Sequence, residues 1–165
     1  MGRDYDLAQV NIARAVAPLD DAVMSGFVDQ LEYINSVAER SPGFVWRLQT
    51  EDGDSTAIRA FEDPLIIVNM SVWASIEALY RYVFRSDHLG PVRDRRAWFQ
   101  RVDRAHSVLW WVPNGHRPSL EEAKSRLEML DRDGPGPLAF TFARAFDPDG
   151  NPVSRSSLID RECGV

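Results

Sequence analysis

The sequence predicts an α+β domain of the ferredoxin-like plan, a split βαβ pair whose antiparallel sheet carries its helices on one face. Three observations predict it. Strand-like and helix-like segments alternate in the order β-α-β, β-α-β, then α-β. Two strands echo each other, Gln9-Val10-Asn11-Ile12-Ala13 against Ile67-Val68-Asn69-Met70-Ser71, as a duplicated unit would. The chain is 165 residues long, which suits one core that needs no metal or disulfide staple.

Each element rests on its own pattern. Residues Leu7 to Ala13 alternate, with Ala8, Val10 and Ile12 on one face and Gln9 and Asn11 on the other, which predicts a strand. From Asp20 to Ala38 the apolar positions Met24, Phe27, Leu31, Ile34 and Ala38 form one helical stripe, with Asp20 or Asp21 as N-cap. That helix stops before Ser41-Pro42-Gly43. Phe44 to Gln49 reads as a second strand, followed by the turn signal Glu51-Asp52-Gly53-Asp54. Leu65 to Val72 is the most strand-like segment. Trp73 to Phe84 returns to helical spacing, and Gly90-Pro91 splits it from a second helical piece that runs from Arg93 to Gln100. His106 to Val112 predicts a fourth strand with Trp110 and Trp111 on opposite faces. Ser119 and Glu122 form a capping box for a helix striped by Leu120, Ala123, Leu127 and Leu130 and ended by Gly134. Phe140 to Phe146 reads as a fifth strand. The ordered domain is therefore expected over residues 1–146, and 147–165, rich in Pro, Gly and Ser, as a flexible tail.

The two βαβ helices cover one sheet face only. An apolar face rich in Trp and Phe has to be covered, and a second copy of the sheet is the economical cover, so a homodimer is expected. With 19 Lys and Arg against 25 Asp and Glu the net charge is -6, which disfavours nucleic acid. Nearly every cation is Arg, Lys124 being the exception, as a high-GC coding bias would also produce. No segment is apolar enough to span a membrane, and the single cysteine, Cys163, suggests neither a disulfide nor a metal site. The expected setting is the reducing cytoplasm.

Glycine-rich phosphate loops, dinucleotide fingerprints, serine elbows and two-histidine zinc helices are absent. The candidate catalytic residues are His88, Asn69 and Asn11. His88 sits where the second helix breaks, a place from which an imidazole can serve as general base or axial haem ligand. Asn11 and Asn69 are amides in the middle of apolar strands, at matching places in the two echoing halves, and buried amides need partners. They bond one another or a neighbouring backbone across the open sheet face, or they point at a ligand. Gln9, Trp46, Trp73, Trp98, Trp110 and Arg47 are the candidate ligand-binding residues, since an aromatic-lined cavity with a few amide or guanidinium donors is what a small organic ligand site looks like. Arg93, Arg95 and Arg96 are further candidates for an anion contact. His106 and His116 suit loop roles better than catalysis.

The blocks Leu7 to Arg14, Ser41 to Leu48, Val68 to Trp73, Trp98-Phe99, Leu109 to Pro113 and Ala139 to Phe142 together resemble a bacterial family known as domain of unknown function 3291, over about residues 5 to 146. The resemblance implies a dimeric α/β barrel, similar in plan to the antibiotic-biosynthesis monooxygenases. Relatives of that plan include cofactor-free oxygenases of polyketide-like aromatics, haem-binding or haem-degrading proteins, and isomerases. The expected function is a monooxygenase-like enzyme of secondary or aromatic metabolism, acting on a hydrophobic substrate without a resident cofactor. Two alternatives stay open: a haem-dependent protein using His88, and a non-catalytic ligand-binding dimer.

Overall fold

The computed structural model describes residues 3–49, 61–85, 98–100 and 105–160. The expectations for the turn at 51–54 and for His88, Arg93, Arg95, Arg96 and Cys163 lie outside these residues. Along the chain run β1 (Tyr5–Ala15), a 3-10 turn (Ala22–Met24), α1 (Ser25–Arg40), β2 (Phe44–Arg47), β3 (Ile66–Trp73), α2 (Ile76–Arg85), β4 (Phe99–Gln100), β5 (Ser107–Pro113), α3 (Leu120–Asp133), β6 (Ala145–Phe146), β7 (Pro152–Val153) and α4 (Arg155–Asp160). All pairings of the main sheet are antiparallel. β3 lies on one side of β1 and β5 on the other, β2 lies outside β3, and β4 extends the β5 side at Arg14 and Ala15. With the two crossing helices this is the ferredoxin-like order.

Side chains alternate along β1, so its odd and even residues face different layers. Leu7 pairs with Trp73 and Trp111, Gln9 with Ser71 and Leu109, and Asn11 with Asn69 and Ser107. On this odd face Leu7, Trp73 and Leu109 pack against Ala38 of α1 and Ile76 and Leu79 of α2. Farther along, Ala15 packs with Met24 and Trp98, and Phe27 of α1 joins them. Both βαβ helices therefore lie on the odd face.

The even face corrects the sequence-based expectation. Ala8, Val10, Ile12, Val68, Met70, Val72, Val108, Trp110 and Val112 are all 2% exposed or less within one chain, because Ala123, Leu127 and Leu130 of α3 pack on them. The face expected to need a second copy is covered by the chain's own third helix. That removes the reason for a sheet-to-sheet homodimer.

The helix caps explain how α3 is placed. The Ser119 hydroxyl accepts the Glu122 N–H, and Gly134, at φ 74°, returns its N–H to the Leu130 carbonyl. Only half of the capping box forms. The Glu122 carboxylate is spent elsewhere, at 2.8 Å from both the Trp110 indole N–H and His116 Nε2, which ties the first turn of α3 to the buried tryptophan of β5.

Three further expectations change. Phe99 and Gln100, expected to end a helix, pair with β1 as strand. The predicted fifth strand reduces to a single bridge, Phe140 to Leu109, followed by the short β6. Residues 147–160 are ordered: β6 and β7 form a hairpin through Gly150 at φ 88°, with Asp147 Oδ1 accepting the N–H groups of Asp149 and Asn151. Leu158 of α4 is 1% exposed in the cluster that holds Trp73 and Phe140.

Candidate functional site

Between its two apolar ends the odd face is polar. Leu7, Trp73 and Leu109 close one end, and Ala15, Ile67 and Phe27 close the other. The strand register sets Gln9, Asn11, Asn69 and Ser71 side by side between them. Asn69 is solvent-exposed although it sits mid-strand in β3, flanked by Val68 and Met70 at 1% exposure on the opposite face. Solvent therefore reaches the sheet at this strip on the face that α1 and α2 occupy.

The strip is wired from its buried end outward. The Trp73 indole donates to Ser71 Oγ at 2.8 Å. Gln9 Nε2 donates to the same oxygen at 2.8 Å and to Asn69 Oδ1 at 3.0 Å. Asn11 stands opposite Asn69 in register, and its Oδ1 is buried with no hydrogen bond, as is Oε1 of Gln30 on α1. A buried carbonyl without a partner costs about 1 to 3 kcal/mol, a cost that a water or a ligand donor in the strip would relieve.

Arg47 joins the strip from β2, because its partner in register is Ser71. Its side chain is 12% exposed, and Nε pairs with Glu39 of α1 at 2.7 Å. Tyr82 of α2 stacks on Trp73 with ring centres 5.0 Å apart. Burial pushes the Tyr82 hydroxyl up to about 12, against the opposing pull of the Arg47 charge. Tyr82 is thus a neutral phenol at physiological pH and offers a polarity without a charge.

The sequence-derived candidates separate by face. Gln9, Asn11, Asn69 and Arg47 come together on the strip, and Trp73 forms its buried end. Trp46 pairs with Val72, so it faces the α3 layer, where the Arg117 guanidinium lies 5.9 Å from its ring centre. Trp110 is 0% exposed on that same face and bonds Glu122. Both are core residues of the even layer; the cause is the β2 bulge between Phe44 and Trp46 for one and strand parity for the other. Trp98 is 8% exposed beside Phe27, at the apolar end of the odd face. His88 lies outside the described residues. Ser71, Tyr82 and Gln30 were missed. Ser71 was legible, standing two residues from Asn69 and so on the same face, whereas Tyr82 and Gln30 depend on how the helices dock. Among the described residues no group of three or more His, Cys, Asp or Glu side chains is placed to hold a metal ion, and no helix is long and apolar enough to cross a membrane.

Residues 6–156 match the family model described as domain of unknown function 3291. The chain belongs to this family. The family match extends beyond Phe146 to Ser156 in α4, in keeping with the ordered hairpin and helix there. No curated protein matches the sequence. Among solved structures the family member is similar to SnoaB, a cofactor-independent oxygenase from Streptomyces nogalater, at 21% identity over 72% of this chain and 98% of that one, with a TM-score of 0.42. It is also similar to PA3566 from Pseudomonas aeruginosa, at 15% identity over 72% of this chain and 100% of that one, TM-score 0.45. A third likeness is to NE2512, a protein of unknown function from Nitrosomonas europaea, at 11% identity over 72% and 97%, TM-score 0.44. At these values the likenesses carry no chemistry.

Proposed function

We propose that the protein is a small-molecule enzyme, monooxygenase-like in reaction class, that holds a hydrophobic aromatic or polyketide-like substrate on the strip of Gln9, Asn11, Asn69 and Ser71. The observation that carries this reading is the row of amides set into the middle of an otherwise apolar, aromatic-walled sheet face, with the Asn11 carbonyl buried and unpaired. Asn11 and Asn69 do not bond one another: Asn69 accepts from Gln9 across the strands, and the Asn11 carbonyl stays unpaired. Aromatic walls suit a flat apolar ring, and amides suit its oxygen substituents. Oxygenation of a phenol-type ring by dioxygen starts from the phenolate, its proton passed to solvent, and that negative oxygen is what fixed amide donors stabilise. The chain's part is to bind the ring, orient it against the strip and hold that charge. The reading asks for no resident cofactor.

Titration with 4-nitrophenol, followed by quenching of tryptophan fluorescence, tests it. Asn69→Leu is expected to weaken binding by ten- to a hundredfold, the equivalent of about 1.5 to 3 kcal/mol for a hydrogen bond to a charged group. Its melting temperature should stay close to that of the native chain, because Asn69 is exposed. A native chain that binds no phenol, or an Asn69→Leu chain that melts early and binds normally, removes the proposal.

A further inference from the structure

The structure assigns Gln9 and Ser71 the role of positioning residues, which fix the Asn69 amide with its NH2 toward the strip's open side and so select an anionic oxygen over a neutral one. The inference rests on the reading of the strip as a site for phenol-type ligands. It starts at Trp73, whose indole N–H can only donate. That hydrogen bond, with Trp73 0% exposed and Ser71 5% exposed, occupies one lone pair of Ser71 Oγ. Gln9 Nε2 occupies the other at 2.8 Å. Both amide hydrogens of Gln9 are then spent, one on Ser71 and one on Asn69 Oδ1 at 3.0 Å. The Gln9 side chain is held at two points, and its second point holds the carbonyl end of Asn69.

What remains of Asn69 is its NH2 end, on an exposed side chain in the middle of the polar strip. An amide that is free to turn offers a ligand either its carbonyl or its NH2. One whose carbonyl is engaged inward offers only donors, which bond a phenolate, enolate or carboxylate oxygen more strongly than a neutral hydroxyl oxygen and offer no acceptor to a ligand O–H. None of the three residues behind Asn69 needs to touch the ligand for this to hold. The mirror arrangement, in which both amides turn over and Ser71 donates to Gln9, would place the Asn69 carbonyl outward and favour a neutral hydroxyl. The two arrangements make opposite demands on ligand charge, and that difference can be measured.

The measurement is the affinity of the native chain, Gln9→Leu and Ser71→Ala for 4-nitrophenol across its titration, with 4-nitroanisole, which has no proton to lose, as the neutral probe. The native chain is expected to prefer the phenolate over both the neutral phenol and the anisole. In Gln9→Leu, which adds no charge, the preference for the phenolate over the anisole is expected to fall about tenfold. Ser71→Ala should follow the same course; if it fails to fold, Gln9→Leu carries the test alone. Equal loss for both probes in Gln9→Leu would mean a structural role only and overturns the positioning role. A native preference for the neutral phenol overturns the polarity of the relay. Failure of the native chain to bind either probe overturns instead the reading of the strip on which this inference rests.

Discussion

At the scale of single residues, the protein is decided by a few polar atoms on apolar strands. Asn11 and Asn69 were legible in the sequence because a polar amide in a run such as Ile67-Val68-Asn69-Met70 breaks its surroundings, and the register places them opposite each other. What the run does not contain is the direction of each hydrogen bond, since that depends on Gln9 arriving from another strand and Trp73 folding back over Ser71. Tyr82 was not legible at all: a tyrosine in an amphipathic helix looks the same whether it docks on a tryptophan or faces water. Its environment makes a pH prediction. The folded pKa of about 12 lies above the ordinary 10.0, so the folded chain keeps a proton that the unfolded chain loses. That stabilisation is complete below pH 10 and drains away as pH rises toward 12, by about 2 to 3 kcal/mol at 1.36 kcal/mol per pK unit. In chemical denaturation at pH 8 and pH 11, Tyr82→Phe is expected to lose less stability between the two than the native chain does. Equal losses would show that Tyr82 ionises freely.

At the scale of elements, the start of β2 depends on one glycine. Gly43 has φ 86°, and a Cβ placed there would stand 2.5 Å from the Ala78 side chain of α2. The Gly43 carbonyl meanwhile accepts the Ala74 N–H at 2.7 Å, which pins the turn before β2 to the entry of α2. Gly43→Ala therefore meets a left-handed backbone cost of roughly 1 to 2 kcal/mol and, in addition, pushes α2 off the strand. A fall in denaturation midpoint larger than that backbone cost alone is the expected result, and a fall no larger than it would show that α2 yields freely. α3 makes a different point. Its boundaries were legible from Ser119 and Gly134, because caps are local chemistry. Its destination was not, because an amphipathic stripe states that a helix must bury one face without naming the surface it covers.

At the scale of the whole molecule, two misread segments share one error. The even sheet face was assigned to a second copy and residues 147–165 to a flexible tail, yet the chain uses α3 for the first and buries Leu158 of α4 in the odd-face core for the second. The tail looked too poor in apolar residues to order itself. Its hairpin contributes through backbone and turn bonds, including the Phe146 carbonyl that accepts the Trp111 indole at 2.8 Å, while Phe146 and Val153 pack on the same cluster as Leu158. Leu158→Ala is expected to cost about 2 to 5 kcal/mol, as a buried leucine does when its site cannot collapse. Thermal melts of Leu158→Ala and of a chain truncated after Phe146 should both fall well below the native chain, and a truncated chain with native stability would restore the flexible tail.

The sequence by itself determined the order of elements from β1 to α3 apart from β4, the Ser119 and Gly134 caps of α3 and the amides at the centre of the sheet. Each of these is written in local periodicity, turn chemistry or residue type, which neighbouring residues settle among themselves. Only the tertiary structure decided that Trp46 and Trp110 belong to the layer under α3, that Tyr82 docks beside the amides, and that the chain's own third helix covers the even face of its sheet. Those outcomes depend on which surfaces meet across long stretches of chain, and that choice is made by the apolar area left to cover once every element has formed.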